Sequence, residues 1–457
     1  MLSVITKRLK SKFKKDKDFK EIAKGGGTSF IVNAIGMGFG YFFVILVSKI
    51  YGSNSASIYG RYVLVTLLLR IGSIVTRFGC DTSMLRFVAA FAPRKLGGNI
   101  KQISKKFSRL LLLFGIITST IVVIGSSFWG KILKMPQNIV ILSAFFILPM
   151  AFGLFYSQSL RGLKKIGISS FLRTSALPTL NFILLPLFLL FVPKQSILYN
   201  DLPTYAFFTA ILITSLIGFI FWKKFQSAVS NNDNFDASHS KSYKQLINNS
   251  YPLLLVESMS FLSTWIDQLM LGVMGSNEDV GILNLCVKYG MLSSLSLQAI
   301  NTISAPKFSE YFFNKDYKNL AKNFRSTTKI IFWTTFPIVT CFIIFPSFFL
   351  NIMGKSFSSG SLALVLLSVA ALINVMTGSV GILLQMTGHQ KIVQNVLLIS
   401  VVIEVFLNAI LIPSYGVTGA AIASISGTSI RNFSLSYYVK KYFGFNSIYF
   451  PGLRNLS

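Results

Sequence analysis

Apolar and polar positions alternate along this chain in long blocks rather than every second or every third to fourth residue. Runs of roughly 20 apolar residues recur between short polar stretches, and that length crosses a hydrocarbon core of about 30 Å at 1.5 Å per helical residue. Twelve such runs are predicted as helices, over 28–50, 59–80, 107–127, 139–159, 170–192, 203–222, 249–274, 280–304, 328–351, 361–386, 391–413 and 416–439. No segment shows the alternating polarity of barrel strands, and lipid demands internally paired backbone groups, so the spans are helical. The prediction is an all-α polytopic membrane protein.

Composition agrees. Of 457 residues, 52% are hydrophobic and 13% charged, too few charges to cover a soluble protein of this size. Net charge is +30, from 44 Lys and Arg against 14 Asp and Glu. In a soluble chain that excess would suggest nucleic acid. Here it sorts by loop. The leader carries nine basic residues from Lys7 to Lys24, and the segment from Arg86 to Arg109 carries seven. Further clusters are Arg161, Lys164 and Lys165; Lys223, Lys224, Lys241 and Lys244; and Lys307 to Lys329. The alternate loops are nearly bare. This asymmetry predicts that both termini and every basic loop are cytoplasmic, where they attract anionic lipids, with no nucleic-acid partner.

The chain also repeats. Asn181-Phe-Ile-Leu-Leu-Pro186 returns as Asn408-Ala-Ile-Leu-Ile-Pro413, and Gly52-Ser-Asn54 returns as Gly275-Ser-Asn277. Arg161-Gly-Leu-Lys-Lys-Ile parallels Thr387-Gly-His-Gln-Lys-Ile. Three matches in order at nearly one offset predict two parallel six-helix halves. The expected organisation is a basic cytoplasmic leader (1–27), an N-terminal lobe (28–222), a cytoplasmic linker (223–248), a C-terminal lobe (249–440) and a cytoplasmic tail (441–457). Paired halves of this kind are transporter architecture, with the substrate path at their interface.

Near the end of the chain stands Tyr415-Gly-Val-Thr-Gly-Ala-Ala-Ile-Ala-Ser-Ile-Ser-Gly427, with Gly419, Ala423 and Gly427 on one helical line. Small-xxx-small lines let helix backbones approach closely in lipid, and packing of span 12 within its own half is the reading the motif supports. A Tyr-Gly-x-x-Gly-Ala-Ala-x-Ala opening to the last helix of a half also resembles the multidrug/oligosaccharidyl-lipid/polysaccharide exporter superfamily, and within it the Wzx-type polysaccharide flippases, or polysaccharide biosynthesis proteins. Four further stretches are similar: the Lys24-Gly25 entry to span 1, the hairpin Tyr51 to Tyr62, Trp265-Ile-Asp267-Gln-Leu-Met-Leu-Gly272, and Arg161-Gly-Leu-Lys-Lys. The resemblance implies a V-shaped bundle of two six-helix lobes in a bacterial cytoplasmic membrane. It implies alternating-access carriage of undecaprenyl-diphosphate-linked oligosaccharide to the outer leaflet, for O-antigen, capsule or a related glycan. An H+ or Na+ gradient and a polysaccharide polymerase are the partners it implies.

Such a substrate joins an anionic diphosphate and polar sugars to a lipid tail, so its carrier needs a polar, cation-lined path. Intramembrane Arg and Lys are costly and face protein or water. The candidates are Arg70 and Arg77, seven residues and about 10 Å apart on one face of span 2, then Lys288 in span 8, Arg173 in span 5 and Arg431 in span 12. Arg77 can instead pair with Asp81 one turn on. The intramembrane acids are Glu257 and Asp267 in span 7 and Glu404 in span 11. Pairing of Asp267 with Lys288 and ion coupling are both open for them. Glu404 has no cation near in sequence, which suits proton coupling. Tyr51, Tyr59 and Tyr62 read as an interfacial belt.

Other chemistries lack their residues. Gly354-Lys355-Ser356 has Phe349 where a P-loop needs its first glycine, so no ATP site is expected. Cys80, Cys286 and Cys341 have no zinc or disulfide spacing, and His239 and His389 lack ligand partners in sequence. No metal or catalytic residue is expected. The competing readings are a multidrug or cation exporter of the same superfamily, whose cavity should favour acids over bases in spans 1 and 2, and a membrane enzyme acting on the same lipid carrier, for which a large acidic loop is missing.

Overall fold

In a computed structural model, which describes residues 17–230 and 235–451, every regular element is helical. The first helix, α1 (Lys17–Tyr51), passes through a single 3-10 turn (Gly52–Asn54) into α2 (Ser55–Arg77). Left-handed backbone at Phe78 and Gly79 then redirects the chain into α3 (Cys80–Phe91). There follow α4 (Gly97–Ile124), α5 (Ser126–Ile132), α6 (Gln137–Gly162) and α7 (Ile166–Ser170). A π turn, Phe171–Ser175, joins α7 to α8 (Ala176–Phe191), and α9 (Leu202–Ser230) follows. The later chain forms α10 (Tyr243–Met274), α11 (Asn277–Ser293), α12 (Leu295–Phe313), α13 (Tyr317–Ile344), α14 (Pro346–Met353), α15 (Ser361–Thr377), α16 (Val380–Met386) and α17 (Gln390–Phe443).

Eight helical stretches among the described residues are long and apolar enough to cross a membrane, or nine when the bent pair α11–α12 is one span. Two of the eight run to 51 and 54 residues, far beyond the roughly 20 that a bilayer needs. Each holds a break near its middle, at Gly52–Asn54 and at Gly416, and so contains two of the predicted runs. The polar positions of α10, Glu257 and Asp267 among them, keep it outside the eight although it spans 32 residues. Counted this way, each of the twelve predicted runs coincides with a helix or a broken helix.

Gly416 has φ 51° and ψ −125°, outside the helical region and accessible to glycine at little cost. The chain reverses there. Gly419 then stands against Leu411 and Ile412, and Gly427 against Glu404, so the two arms of α17 lie antiparallel. The smooth line Gly419, Ala423, Gly427 is buried along this contact. It packs the last span onto its neighbour within the same half, as the spacing predicts.

The chain forms two compact units. One comprises residues 1–43, 68–127 and 137–257, and the other 44–67, 128–136 and 258–457. In the first, a core of Met84, Phe107, Leu111, Phe155 and Trp222 joins α3, α4, α6 and α9. The predicted linker region starts as the last turns of α9. Beyond 231–234, which lie outside the described residues, it is fastened to α4: Asn99 donates to the Asp236 carbonyl at 2.8 Å and accepts from the Asp236 N–H at 3.0 Å. In the second unit, Phe308, Phe324, Leu383, Val396 and Val439 form a core. The segment after α17 folds back on it. Phe445 is buried there, and the Tyr449 N–H donates to the Met376 carbonyl at the end of α15. The basic positions 7–15 and Arg454 lie outside the described residues.

Candidate functional site

The first unit gathers charge around Arg77. Its guanidinium donates to Asp81 across the break between α2 and α3, to Glu257 Oε1 of α10 at 2.6 Å, and to Ser73 Oγ at 3.3 Å. Arg77 is 5% exposed, which places a full charge in the interior. The pairing with Asp81 is present, and Glu257, 180 residues on, is a second partner. Arg173, carried outward by the π turn, interacts electrostatically with Arg77, Asp81 and Glu257, and also with Arg161 at the end of α6. Arg77 alone contacts the two carboxylates; the exposed Arg173 and Arg161 add positive charge at longer range, so the cluster keeps a positive excess. Arg70, half-buried, stands two turns back from Arg77 on the same face of α2. This arrangement attracts an anion while pairing one oxygen of each carboxylate with Arg77; Asp81 Oδ1 and Glu257 Oε2 are buried without a hydrogen-bond partner among the described residues.

The second unit has a cluster of the opposite sign. Asp267 of α10 accepts a hydrogen bond from Asn408 Nδ2 at 2.6 Å, and Ser424 and Glu404 adjoin the same carboxylate. Glu404 is 8% exposed and Asn408 fully buried. Glu404 does have a cation: the reversal at Gly416 brings Arg431 back to interact with it. Sequence distance concealed that partner. Two adjoining carboxylates, with the Arg431 guanidinium acting on Glu404 only at longer range, leave a negative excess inside a membrane, which a proton or a small cation relieves.

Lys288 lies elsewhere in the same unit. Its Nζ is 5.1 Å from the centre of the Tyr59 ring, a cation–π contact. Tyr59 is 1% exposed and donates to Asn284 Oδ1 at 2.6 Å, so it is a buried polar residue and not part of an interfacial belt. Tyr51 and Tyr62 are half-buried, and Tyr62 stacks on Tyr59. Asn284 in turn donates to Gln268 Oε1 at 2.7 Å.

The site residues thus fall into three groups: Arg77 with Glu257 and Arg173; Asp267 with Glu404 and Arg431; and Lys288 with Tyr59. Sequence reasoning missed Asn408, Ser424, Asn284 and Gln268. Asn408 carried a signal, since it opens the repeated Asn-x-Ile-Leu-x-Pro motif and is a polar residue in an apolar run.

A family model described as polysaccharide biosynthesis protein matches residues 2–312. The chain is similar to the probable low-salt glycan biosynthesis flippase Agl15 of Haloferax volcanii, at 20% identity over 203 residues. That match covers 44% of this chain and 43% of the relative, so the chain spans less than half the length of this curated relative. Among solved structures it is similar to a multidrug resistance MATE family transporter of the MOP superfamily in its inward-facing conformation. The TM-score is 0.68 at 13% identity, covering 91% of this chain and 98% of that one. It is also similar to the lipid II flippase MurJ in an inward closed conformation, with TM-score 0.68 at 13% identity over 91% and 87% of the two chains. These two likenesses concern the fold.

Proposed function

Because this chain belongs to the polysaccharide biosynthesis protein family, we propose that it is a flippase for a lipid-linked glycan. It carries undecaprenyl-diphosphate-linked oligosaccharide repeat units from the inner to the outer leaflet of the cytoplasmic membrane, by alternating access, for O-antigen, capsule or a related polysaccharide. The observation that carries this reading is the positive excess around Arg77 in a chain of this family. Arg77, Arg173 and Arg161 outnumber Asp81 and Glu257, and Arg70 extends the positive face along α2. A diphosphate offers the charge and the planar oxygen edges that guanidinium groups hold best. Lys288 supplies a further point charge.

The negative cluster of Asp267 and Glu404 gives the carrier its energy input. H+ or Na+ binds between these carboxylates, with Asn408 and Ser424 supplying neutral oxygens, and its release resets the cycle. Arg431 sets how tightly the ion is held. Protein–polymerase contacts and anionic-lipid contacts at the basic loops complete the proposal, and chemistry on the substrate forms no part of it.

The test is movement of a fluorescent polyprenyl-diphosphate oligosaccharide between leaflets of liposomes holding the purified protein. A cationic dye and the Arg70→Ala variant run beside it. Flipping that Arg70→Ala stalls in a folded protein supports the reading. Transport of the dye alone makes the chain a drug exporter instead.

A further inference from the structure

On the flank of the first unit, α6 and α9 pack together and frame an apolar groove of about 470 Å³. Its walls are Leu148, Phe152 and Tyr156 of α6 and Leu212, Leu216 and Phe219 of α9. Its floor is the line where the helices meet. Gly153 stands there against the backbone of Ser215, and Gly218 against Tyr156. Leu212, Leu216 and Phe219 are 47%, 59% and 44% exposed, so the groove opens away from the core of the unit. No charged residue lines it, yet it leads to charge. Leu212, Leu216, Phe219 and Lys223 follow one line of α9. The Lys223 Nζ lies 5.8 Å from the centre of the Phe219 ring. Lys165, in the turn after α6, sets its Nζ 4.6 Å from the centre of the Phe225 ring, less than two turns further along α9. Both lysines are exposed. Neither α6 nor α9 carries an Asp or Glu to neutralise them.

We propose that this groove is a binding site for one anionic phospholipid of the cytoplasmic leaflet, with an acyl chain lying along it and the phosphate held by Lys223 and Lys165. Length supports this. From Leu212 to Lys223 the helix rises about 16 Å, close to half of a hydrocarbon core of about 30 Å. The charge pattern predicts that the lysine end is cytoplasmic. An acyl chain that starts at headgroup level therefore reaches the far end of the groove near the bilayer midplane. The walls also need an occupant. Phe152 stacks on Tyr156 with ring centres 5.7 Å apart, and Tyr156 meets Phe219 at 5.8 Å, so these rings brace one another and do not collapse into the gap. An empty groove would forfeit the dispersion contacts of its walls. Any lipid chain supplies those contacts. Two ammonium groups with no acid on either helix favour a headgroup of net negative charge. The ligand is a resident membrane lipid and not cargo, so the inference stands apart from the flippase reading.

Native mass spectrometry of the full chain tests this, with palmitoyl-oleoyl phosphatidylglycerol and the matching phosphatidylcholine offered in equal amounts in detergent. The native protein should keep one phosphatidylglycerol per chain, preferred over phosphatidylcholine by roughly tenfold or more, as two basic residues near a membrane surface allow. Lys165→Gln with Lys223→Gln should bring that preference close to one. Lys318→Gln with Lys322→Gln removes the same charge from exposed positions of the second unit and should leave it unchanged. Leu216→Trp, which narrows the groove, should reduce retention of both lipids severalfold. Thermal midpoints close to the native value show that each variant is folded. Equal retention of the two lipids by the native protein overturns the site. So does an equal effect of the two lysine pairs, which would mean diffuse surface attraction, or full retention in Leu216→Trp, which would mean a headgroup contact without the groove. Displacement of phosphatidylglycerol by an equal amount of polyprenyl phosphate, or a second copy of the chain in its place, also overturns it by giving the groove another occupant.

Discussion

Arg77 Nη2 donates to Glu257 Oε1 at 2.6 Å and thereby joins α2 to α10 across 180 residues of chain. With Asp81 on the other side, the guanidinium is held by two carboxylates. Removing the arginine alone leaves two acids facing each other with no counter-charge, and breaking a buried pair from one side costs about 3–5 kcal/mol. Arg77→Ala should therefore lower the thermal midpoint sharply in detergent. Replacing the group as a whole, Arg77→Met with Asp81→Leu and Glu257→Leu, should cost far less. Flipping should be lost in both. A triple variant as unstable as Arg77→Ala would contradict the electrostatic account of this cluster.

The reversal at Gly416 yields a graded packing prediction. At Gly419 an added Cβ meets the backbone of Leu411, which cannot move aside; at Gly427 it comes 3.0 Å from Glu404 Oε2, the end of a flexible side chain. Overpacking of the first kind costs about 1–3 kcal/mol. The second is offset by the roughly 1 kcal/mol that alanine gains over glycine in a helix. Gly419→Ala should be clearly destabilised and Gly427→Ala near neutral in thermal unfolding. The reverse order would mean that the arms of α17 pack in another register.

Span placement was legible in the sequence because hydrocarbon thickness dictates run length, and Tyr415 to Gly427 announced its own packing by spacing alone. The charged sites were legible only as single residues. Glu404 reads as isolated until the chain turns back at Gly416 and delivers Arg431, and Glu257 lies 180 residues from the arginine it binds. Which charges meet is decided by tertiary contacts, and no local pattern encodes them. Tyr59 was misplaced for the same reason: an aromatic near a membrane boundary resembles a belt residue until Asn284 is found beside its hydroxyl.

Outside the spans, Asp316 caps α13. Its carboxylate accepts from the Asn319 N–H at 3.1 Å and the Asn319 side chain at 2.6 Å, and these bonds hold its pKa below the ordinary carboxylate value. A depressed pKa contributes stability above the unfolded value of about 3.9, and the contribution is lost as pH falls through the folded value. The thermal midpoint of the native protein should exceed that of Asp316→Ala near neutrality, and the gap should close in acid. A gap that stays constant with pH would assign the effect to helix propensity instead of the cap.

Glu404 and Asp267 share one buried site, so they should act as one unit in energy coupling. Glu404→Gln keeps volume and hydrogen-bonding capacity while removing the charge, and Asp267→Asn does the same from α10. Each should abolish the dependence of flipping on an imposed pH or Na+ gradient, which in the native protein should amount to roughly 5-fold or more, the usual lower range for coupling between two sites. Because the residues are in contact, the double variant should be no worse than either single one. Initial flipping rates in liposomes, measured with each gradient applied in turn, separate the ions. A response to pH alone names the proton, and a response to Na+ at fixed pH names sodium. If Glu404→Gln keeps the native gradient response while remaining folded, this carboxylate pair serves packing of α17 against α10 and the energy input lies elsewhere.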